Sequence, residues 1–201
     1  ATTLFQVLNL TFTDNRVQVA GRTPPVAGMP SAFRGLGGVN LAVGDVDGDG
    51  DNEIIVASAG LPDGANNPDW KSFIRVFDVL VDQSHNITSL QPFSGRNPVQ
   101  VFGPSVNPSG AVDVAAGDLD GDSADELLIS TQAVIELDAE TGEVTVSHAA
   151  PANLVKGINL DFSAEGELSG ISPAVTQFRA FGGDFAPTSG AVNVEVYPGE
   201  K

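Results

Sequence analysis

Cysteine is missing from this chain of 201 residues. That excludes a disulfide framework, thiol catalysis and a cysteine-bound zinc. Histidine is scarce: only His85 and His148 occur, each beside polar loop residues and neither in a nucleophile motif. No Gly-x-Ser-x-Gly, His-Glu-x-x-His or phosphate-loop pattern is found, so the residues speak against an enzyme. No apolar run approaches the ~18 residues of a membrane span. Lys and Arg number 9 against 26 Asp and Glu, for a net charge of −17. That balance disfavours nucleic acid and anionic membranes as partners. No segment of useful length carries a helical period, which leaves an all-β reading. The chain begins at Ala1 without an initiator Met or a signal peptide, and so reads as a processed mature protein or an excised segment.

What is present fits that fold class. Hydrophobic residues make up 41%, enough for a globular core. The 23 Gly and 13 Pro suit many short strands joined by tight turns.

One stretch organises the rest: Gly44-Asp45-Val46-Asp47-Gly48-Asp49-Gly50-Asp51-Asn52-Glu53. Five carboxylates alternate with small or neutral residues, between apolar runs at Val39 to Val43 and Ile54 to Ala57. Asp45, Asp47 and Asp49 can converge only if the backbone curls, and Gly48 and Gly50 permit the positive φ this needs. At ~4 Å and an effective dielectric near ~20, each like-charge pair costs on the order of 4 kcal/mol. A hard divalent cation removes that cost, and mixed carboxylate and carbonyl ligands suit calcium better than magnesium. The device returns position for position as Gly117-Asp118-Leu119-Asp120-Gly121-Asp122-Ser123-Ala124-Asp125-Glu126. From residue 45 to residue 118 the offset is 73. Asp-Gly clusters are ordinary turn punctuation, but two copies with matching flanks point to metal.

An EF-hand would need a glutamate at position twelve and flanking helices. Those positions hold Val56 and Ile129, and the flanks are β-branched, so that reading fails. Tandem nonapeptide repeats of a β-helix recur far more closely. A loop between two strands remains, with ligands at positions one, three, five, seven and nine, the seventh through its carbonyl. The first calcium site is thus expected from Asp45, Asp47, Asp49, Asp51 (carbonyl) and Glu53. The second is expected from Asp118, Asp120, Asp122, Ala124 (carbonyl) and Glu126.

The loops and their flanks resemble the FG-GAP repeat, the calcium-binding blade unit of integrin α-subunit propellers and of many secreted bacterial proteins. Phe102-Gly103 precedes Gly110-Ala111-Val112-Asp113-Val114, and Phe181-Gly182 precedes Gly190-Ala191-Val192-Asn193-Val194. A looser copy is Phe33-Arg34-Gly35 before Gly38-Val39-Asn40-Leu41. Position nine is glutamate where that family usually has aspartate, and Ser123 replaces glycine at position six. The resemblance implies an all-β, propeller-like fold of about three blade equivalents, as an incomplete ring or the unit of a polymer. It also implies an extracellular or cell-surface protein whose partners are further copies, other proteins or glycans.

Along the chain, N-terminal strands and a loop occupy 1–30, with a turn at Thr13-Asp14-Asn15. A first repeat covers 31–100, with a loop from Gly60 to Trp70 and a strand from Phe73 to Val81. A second covers 101–175, with a hairpin around 138–142 and a strand at Ile158 to Phe162; a further strand is expected at Val175 to Ala180. A third repeat, 176–201, lacks its metal loop. Leu4 to Phe12 and Ala191 to Val196 are each expected to lack a partner strand, which would favour head-to-tail pairing between copies. Asn9-Leu10-Thr11 and Asn86-Ile87-Thr88 are N-glycosylation patterns. The expected function is an extracellular calcium-binding structural or adhesive repeat protein, possible as a fibre or array. The alternative is a scaffold domain of a secreted polysaccharide-active enzyme, which would show a cleft with two unligated carboxylates ~5–10 Å apart.

Overall fold

The chain opens with four short strands: β1 (Leu4–Phe5), β2 (Leu8–Thr13), β3 (Arg16–Arg22) and β4 (Val26–Ala27). In the computed structural model, the residues described are 4–13, 16–27, 39–59, 72–84, 86–103, 111–132, 134–137, 141, 144–148 and 154–179. Strands β2 and β3 form an antiparallel hairpin, and β1 pairs with β4. Leu4 to Phe12 therefore finds its partners within its own chain. The expectation of an unpaired N-terminal edge is overturned, because the chain returns on itself after Thr13.

A first unit follows, from β5 (Val39–Gly44), β6 (Glu53–Ser58), β7 (Ser72–Val81) and β8 (Ile87–Pro92), adjacent in that order and antiparallel. Strand β9 (Val99–Phe102) pairs with the start of β7, as β8 pairs with its end. A second unit repeats the plan with β10 (Val112–Gly117), β11 (Glu126–Thr131), β14 (Leu154–Phe162) and β15 (Leu168–Arg179). The hairpin of β12 (Val134–Leu137) and β13 (Val144–His148) is inserted after β11. Gly44 pairs with Glu53 and Gly117 with Glu126, so both acidic loops close the same β-turn-β register.

Every described element is a strand, and no helix occurs among the described residues. The fold is all-β, in several antiparallel sheets, with no closed barrel or ring among the described residues. The continuous apolar run of β6 is buried on both faces, as such runs usually are. Ile55 and Ala57 face the core shared with the second unit; Ile54 and Val56 face the N-terminal strands. The shared core joins Ile55, Ile74 and Val76 to Val112, Val114, Leu127, Ile129 and Ile158. Burying each of these Ile, Leu or Val side chains contributes ~1.5–3 kcal/mol.

On the other face Phe5 meets the Phe77 ring edge-on at 5.3 Å. Arg75 lies over the same ring and donates to the Ala27 carbonyl. Strands β5 and β10, each at the edge of its sheet, run alongside each other. Asn40 Nδ2 donates to the Val112 carbonyl at 2.7 Å and to Gln132 Oε1 at 3.1 Å.

Two strands exceed their expected bounds. Strand β14 begins at Leu154 and β15 at Leu168. Gly157, Gly170 and Pro173 hide the alternation there, and β15 absorbs them through register shifts. Proline is tolerated because β15 lies at the sheet edge. Residues 176–179, expected to open a third repeat, lie in β15. The rest of that repeat lies outside the described residues, as do Phe33, Trp70 and His85.

Candidate metal centres

Each loop is wound by its own carboxylates. In the first, Asp47 Oδ1 accepts the Asp49 N–H at 3.2 Å, Asp49 Oδ1 the Asp51 N–H at 2.9 Å, and Glu53 Oε2 the Val46 N–H at 2.9 Å. The second repeats these bonds at Asp120 to Asp122, 3.2 Å, at Asp122 to Ala124, 2.9 Å, and at Glu126 to Leu119, 2.7 Å. Position one differs, with Asp45 accepting from Gly50 and Asp118 from Gly121. The curl requires positive φ at positions four and six: 75° and 97° at Gly48 and Gly50, 89° and 82° at Gly121 and Ser123.

The loops gather part of the expected ligand sets. Carboxylate oxygens of Asp45, Asp47 and Glu53 lie within 4.8 Å of one another, as do those of Asp118, Asp120 and Asp122. Either group could hold a metal ion. Asp49 and Glu126 stand outside these triads, engaged in the turn bonds described above. Asp51 and Ala124, expected to ligate through carbonyls, are anchored by their N–H groups.

The electrostatics record the crowding. Glu53 is only 2% exposed. Burial first, and then the charges of Asp47, Asp49 and Asp45, push its carboxyl from an ordinary 4.5 up to about 8. Burial raises Glu126 and Asp47 as well. Asp45 Oδ1 is buried and has no hydrogen-bond donor among the described residues. A buried carboxylate oxygen without a donor is costly, and a bound cation satisfies it. The donor set consists of hard carboxylate oxygens, which suit a hard metal cation.

Three residues near the loops escaped the sequence reading. Asp78, on β7, is raised by burial and by Asp49. Asn159 holds the corresponding place on β14, and its Oδ1 is buried without a partner among the described residues. Asp125, at position eight of the second loop, reaches across to the first: its Oδ2 accepts the Asp45 N–H at 3.0 Å, and its own N–H donates to the Asp45 carbonyl at 2.6 Å. A cleft of about 410 Å³ between the loops is lined by Asp47, Asp122, Asp125, Asn159 and Asp161. Its Asp125 and Asp161 are tied to Asp45 and to Ser172 Oγ. The signal for Asp125 was one extra carboxylate in an already acidic loop, which no spacing rule separates from a solvated turn.

Of the two glycosylation patterns, Asn9 exchanges hydrogen bonds with the Ile87 backbone at 3.2 Å each way. Asn86 is exposed and bonds to Asp82.

A comparison with protein-family models finds no match, and no curated protein matches the chain either.

Proposed function

We propose that this chain is an extracellular, calcium-binding structural or adhesive protein built from FG-GAP-like β-blade repeats. One calcium sits in each acidic loop and rigidifies the β5–β6 and β10–β11 turns. The observation that carries the reading is Asp45 Oδ1, a buried carboxylate oxygen without a donor among the described residues, amid Asp47 and a fully buried Glu53. That arrangement is unfavourable alone and favourable around a divalent cation. The partners are further copies of the chain, or extracellular proteins and glycans. Asn86 is the glycan acceptor whose side chain stays at the surface.

Thermal melts with calcium and with chelator test the proposal. Binding to the native state adds RT ln(1 + [L]/Kd), about 2.7 kcal/mol per site at a hundredfold excess over Kd. Chelation is expected to lower the melting temperature by several degrees, and magnesium to restore it poorly. An unchanged melting temperature on chelation would refute structural calcium at these loops.

A further inference from the structure

The two loops touch at Asp45, the first ligand position of one, and Asp125, which lies between two ligand positions of the other. Asp125 holds the Asp45 peptide from both sides, accepting its N–H at 3.0 Å and donating to its carbonyl at 2.6 Å. Gly44 is pressed so closely that an added Cβ would lie 2.5 Å from Asp125 Oδ2 and 2.6 Å from the Ala116 Cβ. A Cβ on Gly48, between Asp47 and Asp49, would lie 3.4 Å from the Ala124 Cβ. Asp125 itself stands between Ala124 and Glu126, the last two ligand positions of the second loop.

We propose that Asp125 is a positioning residue that couples the two cation sites, so that filling one raises the affinity of the other. The proposal rests on reading both loops as cation sites. A cation that fixes the Asp45 carboxylate also fixes the Asp45 peptide. That peptide holds Asp125, and Asp125 holds its neighbours in the second loop. The ordering shared by the two loops is spent once, at the first binding event, which is a source of positive cooperativity. Electrostatics acts the other way, because the first cation weakens the negative field that draws the second. Salt screens that field and leaves the half-buried hydrogen bonds between the loops largely intact, so the coupling grows clearer at high ionic strength.

Calorimetric titration of the full chain with calcium at high salt tests this. The wild type is expected to take up two ions cooperatively, with coupling of about fivefold or more. Asp120→Ala, which disables the second loop, is expected to weaken the first site by the same factor. Asp125→Ala removes the Oδ2 acceptor but keeps the main-chain bond to the Asp45 carbonyl, so it should still bind two ions with the coupling clearly reduced. Asp125→Asn keeps an acceptor oxygen for the Asp45 N–H and should restore the coupling, whereas Asp125→Leu, which fills similar space without an acceptor, should not. Two independent sites in the wild type, or coupling undiminished in Asp125→Ala, would overturn the proposal while leaving the cation sites standing. A wild type that binds no calcium would remove the sites and the coupling together. Should Asp125→Ala fail to fold, the comparison of wild type with Asp120→Ala decides the matter.

Discussion

Glu53 and Glu126 hold the ninth position of their loops, and each is 2% exposed. Glu53 keeps its proton to about pH 8 in the folded, metal-free chain, whereas the unfolded chain releases it near 4.5. Between those values the folded state binds more protons than the unfolded state, so stability falls as pH rises. The metal-free protein is therefore expected to melt higher at pH 5 than at pH 8. Calcium displaces the proton and should flatten the difference, and Glu53→Gln should flatten it without calcium. Melting curves that are level or rising with pH in the chelated wild type would contradict the assignment. The sixth position makes a second case at this scale. Gly50 has φ of 97°, and an added Cβ would meet nothing within 4 Å. Gly50→Ser therefore isolates backbone strain from crowding, and should cost on the order of 1 kcal/mol in thermal unfolding. Ser123, at φ 82° in the counterpart position, already carries that strain. A Gly50→Ser variant as stable as wild type would show the loop relaxing at no cost.

Strands β5 and β10 hold the two loops in register, and Gly44 is where they come closest. A methyl there would press on Ala116 Cβ and on Asp125, both already in place. Gly44→Ala is expected to destabilise by about 1–3 kcal/mol, the usual cost of overpacking. Ala116→Gly in the same chain should recover part of that loss, and a denaturant titration of the single and double variants measures both. If the second change recovers nothing, the strands are not packed as described. Much at this scale was readable beforehand. Alternating acids set both loops, their β-branched flanks set β5, β6, β10 and β11, and the need for positive φ at position six anticipated Ser123. The rest depends on contacts remote in sequence. Asp125 bonds to a residue 80 positions away, and nothing local to it announces that partner. The length of β15 was hidden because Gly170 and Pro173 read as breakers and are tolerated only at a sheet edge. The N-terminal strands looked unpaired until Leu4–Phe5 was seen to return to Val26–Ala27 and to lay Phe5 on Phe77.

At the scale of the whole molecule, the contact between the two units has an open counterpart at each end. Val114 is 4% exposed where β10 packs on the first unit, yet Leu41, its counterpart on β5, is 50% exposed, and Val43, two residues on, is 60% exposed. Asn52 matches Asp125 and is exposed. On the receiving side, Val46 is 4% exposed and its counterpart Leu119 is 39% exposed. The first unit thus presents the surface that the second unit buries, and the second leaves bare part of the surface that the first offers. If copies of the chain pair head to tail through these surfaces, the β5 face of one copy docks against Leu119 of the next, a heterologous contact that extends unless its rotation closes. Leu41→Asp places an unpaired charge in that contact, while at an exposed site it should change monomer stability by less than about 0.5 kcal/mol. Sedimentation and electron microscopy of the calcium-loaded wild type at high concentration should show large assemblies, and Leu41→Asp should abolish them with the melting temperature unchanged. A wild type that stays monomeric under those conditions would rule out assembly through this face. Assemblies that survive Leu41→Asp would shift the contact to another surface, with the exposed Leu8, Leu10, Val17 and Val19 of the β2–β3 hairpin the next to be changed.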